Sequence, residues 1–412
     1  MTAKTQFFTL KPVAEALDEV REAAQPSPRP ETLATAAALG RVLATAPRAP
    51  HDLPSFTRSS MDGYAVRAAD TFGASGSLPA YLTVVGSIQM GQAATCEVGP
   101  GQAAEIHTGA MLPPGADAVV MIEKTQPLNA REIEVLGPVA PGENLVQVGE
   151  DVAQGAEVLP AGWRLRPPDI GGLLAVGITQ IQVVAPPRVA ILGSGDEIVP
   201  PEHTPAPGQI RDINSYTLAA LCAAHGAEPL TLGIAPDDAD ALYTLAQQAH
   251  AQADIVVLTA GSSVSARDLT AETINKLGAP GVLQHGLAVK PGKPTLLAVC
   301  GGKPVVGLPG NPVSAYAVAR QVLVPLIQHW LGTQPGYAAQ VSARLTANVA
   351  STTGRVDTVP VRLHESEDGR LAEPIFGKSN LIYTLVNADG VIEVPLNSNG
   401  LKAGTDVDVV LL

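Results

Sequence analysis

A chain of 412 residues with 46% hydrophobic content, 40 glycines and 36 prolines is long enough for three or four cores and too rich in corners for a helical bundle. A net charge of −13 and only 3% aromatic residues exclude a basic nucleic-acid or anionic-membrane surface and leave little for base stacking. The three cysteines, Cys96, Cys222 and Cys300, are far apart and the histidines form no HExxH spacing, so neither a disulfide framework, a zinc site nor a His-ligated metal is expected.

In chain order, MTAKTQFFTLKPVAEALDEVREAA places acidic residues where a signal peptide needs an apolar core and reads as an amphipathic helix. No apolar run reaches bilayer length, so the expectation is a soluble, cytoplasmic protein. The prolines of QPSPRP break that helix, and ETLATAAALGRVLA predicts a second, short one near Gly40. HDLPSFTRSSMDGYAV, His51 to Val66, is a polar loop running into a strand. Short alternating runs with glycine corners follow to about Val135 and read as a small β-rich unit. Gly-punctuated strands and a short helix after Pro167 then return, which suggests that the β unit interrupts a single element. The domains are predicted as 1–50 with 145–186, a discontinuous N-terminal part; 51–144, an inserted β-rich domain; 187–331; and 332–412.

After Pro186-Pro187, strand and helix alternate: RVAILGSG, NSYTLAALCAAHGA capped by Asn214, PLTLGI, PDDADALYTLAQQAHAQ, DIVVLTAG and TAETINKLG. That order predicts βαβ units and a parallel sheet covered on both faces. PTLLAV and KPVVGL read as buried strands, and GLPGNPVSAY opens a long helix, with Asn311 as N-cap and Pro312 at the first helical position. The last segment, with short strands and turns, predicts a small β-barrel or sandwich.

Ligands of open α/β sheets bind at the carboxyl ends of the strands. Four loops are placed there: GSGDE with Ser194, Gly195 and Glu197; TAGSSVSARD with Asp268; KPGKP with Lys290 and Lys293; and LPGNP with Pro309, Asn311 and Pro312. Glycines let backbone amides approach a ligand, and the lysines supply charge for phosphate. Each loop alone is equally an ordinary corner; four on one edge point to a phosphate-bearing ligand. Asp196, Glu197 and Asp268 would repel an anion unless a cation such as Mg²⁺ intervened, and they also read as solvated turn acids. For Asp62 in MDGYA and Thr108 in IHTGAMLPPG, composition leaves both a plain turn and a functional loop open.

Together, SFTRSSMDGYAV, IHTGAMLPPGADAVV, GSGDEIV, GQIRDINSYTLAALCAAHGAE, AVKPGKPTLLAV and GLPGNPVSA, in this order, resemble the molybdopterin molybdenumtransferases, the bacterial MoeA proteins and the C-terminal domain of gephyrin. The resemblance covers nearly the whole chain. It implies an elongated multidomain homodimer: a parallel-sheet α/β molybdopterin-binding domain, an elongated N-terminal region, an inserted β-rich domain and a C-terminal β-barrel. The active cleft would lie between the α/β domain and the N-terminal parts of the other subunit. It further implies a reaction that takes adenylylated molybdopterin and molybdate, with Mg²⁺, to molybdopterin carrying molybdenum plus AMP.

Carried over by motif, Asp62, Thr108, Glu197 and Asp268 would be catalytic, with Asp62, Glu197 and Asp268 toward the metal. Asp151, Ser194, Gly195, Lys290, Lys293, Pro309, Asn311, Pro312, Arg355 and Ser379 would bind substrate. Two departures stand out: AGSSVSA (260–266) replaces a more glycine-rich loop, and Val146, Gln147 and Val148 stand where the family tends to have arginines. Each charge-assisted hydrogen bond lost there would cost about 1.5–3 kcal/mol. The departures keep alternative readings in play: a carrier of molybdopterin or finished cofactor, a tungsten-preferring homologue, or an adenylyl transferase.

Overall fold

The computed structural model describes residues 10–260, 264–333, 339–367 and 369–412. Its first helix, Val13–Ala23, buries Ala16, Leu17 and Val20. These residues pack into the core formed by the long helix of the α/β domain. The predicted second helix is absent: Pro30–Ala34 is a strand paired antiparallel with Gln180–Val184, followed by a single 3-10 turn, Thr35–Ala37. Cross-strand pairing outweighs the helix preference of the alanines, since propensity is a weak prior once a tertiary partner exists.

From there two segments of the chain run antiparallel as a long ladder. Val42 faces Arg164, Arg48 faces Glu157 and Leu53 faces Val152, and the strand Arg58–Ser59 pairs with Leu145–Val146. What the ladder carries at its far end is a six-stranded sheet in the order Ala118–Met121, Gly63–Val66, Gln102–Ile106, Ala80–Ile88, Glu132–Val135, Thr125–Asn129. Successive residues of one strand serve opposite faces, as the two-residue period requires. Ala65 packs with Ile88 and Ile106, and Val66 with Leu82 and Ile133.

The α/β domain holds a second six-stranded sheet, ordered Glu228–Ala235, Arg188–Ser194, Ile255–Ala260, Lys303–Pro309, Leu296–Cys300, Pro280–His285. The first four strands are parallel. The fifth, Leu296–Cys300, runs antiparallel to its neighbours on both sides, so the predicted parallel sheet carries one reversed strand and is mixed. The reason is the Gly301-Gly302 connection between Leu296–Cys300 and Lys303–Pro309, which is too short for a crossover helix and closes a hairpin instead. One face is covered by the helices Asn214–Ala224 and Pro312–Leu331 together with Val13–Ala23, and the other by Ala239–Gln252 and Val264–Lys276. Among the described residues no helix is long and apolar enough to cross a membrane.

The C-terminal strands close on themselves. Val356–Ser366, Gly369–Pro374, Gln340–Leu345, Asp406–Leu411 and Gly390–Val394 follow one another, and the last pairs back to the first. This five-stranded barrel is stitched to the α/β domain by the short strand Val289–Lys290, which pairs with its first strand at Val356 and Asp357.

Candidate active site

The antiparallel hairpin brings KPGKP to the ligand edge. KPGKP precedes Leu296–Cys300 in sequence, and because that strand is reversed its start lies beside the carboxyl ends of the parallel strands, where LPGNP also emerges. Gly292 is obligatory in this loop. Its φ is +111°, and a Cβ there would lie 2.1 Å from Val318 Cγ2 in the long helix.

LPGNP and the helix start after it are braced by three hydrogen bonds, to Asn214 and Ser379. Asn214 donates its side-chain amide to Gly310 O at 2.8 Å, Asn311 donates to Ser379 Oγ at 2.9 Å, and the Val313 N–H donates to Ser379 O at 3.1 Å. Two expectations change here. Asn214 is no cap, because the Asp212 carboxylate accepts the Ser215 N–H at 3.1 Å in its place. The long helix does start after Asn311, yet Pro312 has no N–H and that of Val313 is taken by the barrel. This helix end is therefore docked on the barrel, and the Asn311 side chain makes no cap, being spent on Ser379.

Between these loops and the barrel lies a cleft of about 860 Å³ that includes Lys290, Lys293, Pro309, Asn311, Arg355 and Ser379 in its walls. Six of the residues singled out in sequence are thus brought together. The buried residue that pairs with two of them, Arg355 and Lys290, was missed. Asp357, 4% exposed, accepts Arg355 Nε at 2.9 Å through Oδ1 and Lys290 Nζ at 3.3 Å through Oδ2. The available signal was the spacing of Arg355 and Asp357, two apart where the chain enters the strand Val356–Ser366.

A second cleft, about 550 Å³, opens at the ends of Arg188–Ser194 and Glu228–Ala235 and includes Gly195, Asp196, Asp212 and Ser215 in its walls. Ser194 is buried beside it, and the Glu197 carboxylate folds over Gly195, close enough that a Cβ there would lie 2.5 Å from Oε2. Asp196 accepts the Asp237 N–H at 3.1 Å. Asp268 is exposed on the helix Val264–Lys276. The altered AGSSVSA loop has its centre, 261–263, outside the described residues.

Asp62 and Thr108 meet in the inserted domain. Asp62 Oδ1 accepts the Thr108 N–H at 2.9 Å, and His107 Nδ1 lies 3.4 Å away. That hydrogen bond, with His107 adding to it, holds the exposed Asp62 carboxyl below its ordinary range. Gly63 permits the turn, since a Cβ would fall 1.9 Å from Val120 O. Asp62, Thr108 and the exposed Asp151 line neither cleft of their own chain. Arg58 pairs with Val146 across the ladder, placing one positive residue opposite the first of the positions where arginines were expected. Among the described residues no three His, Cys, Asp or Glu side chains gather to hold a metal ion, so Asp62, Glu197 and Asp268 do not form a centre within one chain. Burial pushes the thiols of Cys222 and Cys300 up to about 12 and about 11, which leaves them inert as nucleophiles.

Three family descriptions cover the chain in sequence: the MoeA N-terminal region (domain I and II) over residues 11–177, a probable molybdopterin binding domain over 190–329, and the MoeA C-terminal region (domain IV) over 342–412. A molybdopterin molybdenumtransferase of Bacillus subtilis is 34% identical over 386 residues, covering 93% of this chain and 90% of its own. One from a Nostoc species is 34% identical over 382 residues, covering 91% and 87%. The crystal structure of a Pyrococcus horikoshii molybdopterin biosynthesis MoeA protein superposes with a TM-score of 0.82 at 39% identity, over 98% of this chain and 99% of that one. With the three family regions in this order along the chain and relatives about a third identical over nine-tenths of it, the chain belongs to the MoeA family, the molybdopterin molybdenumtransferases of molybdenum cofactor biosynthesis.

Proposed function

We propose that this chain transfers molybdenum from molybdate to adenylylated molybdopterin, releasing AMP, in a Mg²⁺-dependent reaction. The observation that supports this best is the cleft in which Lys290, Lys293 and Arg355 gather with Asn311 and Ser379. Cations and hydroxyl or amide donors in one recess suit a tetrahedral dianion, and Arg can present paired N–H groups to it. In this reading molybdate occupies the cleft, and the adenylyl phosphate lies toward Ser194, Gly195 and Glu197 at the neighbouring strand ends.

Asp62, ionised at neutral pH, acts at the phosphoanhydride. Because Asp62, Thr108 and Asp151 line neither cleft of their own chain, the proposal includes a homodimer in which the partner supplies them. Pro309 and Pro312 hold the LPGNP corner rigid. The acidic donors are hard oxygens, which suit Mg²⁺, and one or two carboxylates are enough where substrate phosphates complete the shell. When bound, the ion would offset phosphate charge beside Glu197 and Asp268.

The test is AMP release from adenylylated molybdopterin, with molybdate, tungstate and Mg²⁺ added or withheld. Release that requires both an oxyanion and the metal supports the transferase and ranks the two oxyanions. Pterin bound without any AMP release would select a carrier instead.

A further inference from the structure

We propose that Asp357 is a positioning residue for oxyanion binding: its buried carboxylate sets the spacing and orientation of Arg355 and Lys290 so that both face the same bound dianion. The inference rests on the function proposed above and assigns a role to a residue outside the sequence motifs.

A carboxylate is a poor choice for the wall of an anion site if only charge matters, because it opposes the ligand. Asp357 must therefore act through geometry. It is 4% exposed, whereas Arg355 and Lys290 are 34% and 56% exposed. The anchor is held firmly and the cations project from it. Each oxygen takes a different partner, Oδ1 from Arg355 Nε and Oδ2 from Lys290 Nζ. Arg355 spends Nε on this contact, and among the described residues neither of its Nη groups makes a hydrogen bond to the protein. The outer edge of the fork is thus left for a ligand, in the orientation that Asp357 dictates.

The backbone supports the same relationship. Lys290 and Asp357 are directly paired in the parallel ladder, and Val356 N donates to Ala288 O at 2.8 Å. One cation comes from the α/β domain and the other from the barrel, and Asp357 joins them at the seam. The long, flexible lysine and arginine side chains would otherwise lose considerable rotamer entropy when an anion ordered them.

The experiment compares Asp357→Asn with the parent protein by titrating molybdate and tungstate calorimetrically and by measuring AMP release. Charge alone predicts tighter oxyanion binding in Asp357→Asn, because a negative group has gone. The positioning role predicts the reverse: oxyanion affinity at least tenfold weaker, KM for molybdate raised to match, and kcat and KM for the pterin substrate changed less than twofold. Asp357→Glu, which keeps the charge and moves it, should also weaken the oxyanion. In an Arg355→Ala, Lys290→Ala background, Asp357→Asn should no longer weaken oxyanion binding. Oxyanion binding by Asp357→Asn or Asp357→Glu equal to or tighter than that of the parent overturns the proposal. A parent protein that binds no oxyanion at all would count against the proposed function first. Thermal melts accompany each titration, and if Asp357→Asn does not fold, Asp357→Glu decides.

Discussion

Asn311 and Ser379, from different domains, are joined by a 2.9 Å hydrogen bond from Asn311 Nδ2 to Ser379 Oγ, and the Ser379 carbonyl receives the Val313 N–H. The first turn of the long helix is therefore held by the barrel, and the cleft between them has one fixed edge. Asn311→Ala should cost about 0.5–1.5 kcal/mol in denaturant unfolding and raise KM for molybdate, whereas Ser379→Ala keeps the carbonyl contact and should cost less.

The loop that presents the two lysines depends on close packing. With φ at +111° and Val318 Cγ2 at 2.1 Å from a notional Cβ, Gly292→Ala faces both backbone strain and overpacking. A loss of about 1–3 kcal/mol is expected from the packing conflict, with a lower melting temperature. Because Lys290 and Lys293 flank the glycine, oxyanion affinity should fall together with stability.

Much of this arrangement was legible from local chemistry. Asn311 followed by Pro312 marks a helix start whatever surrounds it, and the glycine-rich corners of GSGDE and KPGKP mark backbone that must turn sharply. Long-range partners were not legible. Asn214 and Asn311 both look like caps in a local window, yet each spends its side chain on a loop of another element, Gly310 and Ser379. The strand Pro30–Ala34 has alanine-rich surroundings and becomes a strand only because Gln180–Val184, some 150 positions away, supplies its hydrogen bonds. Asp357 escaped notice because a lone acid in an alternating strand reads as solvent-facing until the fold buries it.

Asp62 is exposed, and its carboxyl is held below the ordinary range by the Thr108 N–H and by His107. It stays ionised throughout the neutral range, so the pH profile of turnover between pH 5 and 8 should show no limb from Asp62. Asp62→Asn should abolish AMP release while leaving the thermal melt within a degree or two. Mixing Asp62→Asn with Lys290→Ala, followed by subunit exchange, should restore part of the activity if each cleft draws on both chains; no recovery in demonstrated heterodimers would contradict the shared cleft.

Acid stability should depend on Asp169. Its carboxyl is lowered from 3.8 to about 2, chiefly by the Arg166 side chain, with Trp163 Nε1 also donating at 2.9 Å. A depressed folded-state pKa contributes stability that is complete above the unfolded value and fades as pH falls from about 4 toward 2. The full contribution corresponds to about 2 kcal/mol. Asp169→Asn should lower stability at pH 7 by a similar amount and flatten the acid limb of a stability profile, measured by urea unfolding from pH 7 to pH 2.

The most direct test of the central claim is oxyanion-dependent AMP release by the parent protein beside Lys290→Ala and Arg355→Ala. The cleft account predicts that molybdate stimulates release from adenylylated molybdopterin in the parent, and that each substitution raises the molybdate concentration needed for half-stimulation at least tenfold while pterin binding is kept. Equal stimulation at equal molybdate in all three proteins would contradict it, and would place the oxyanion outside the cleft formed by Lys290, Arg355 and Asp357.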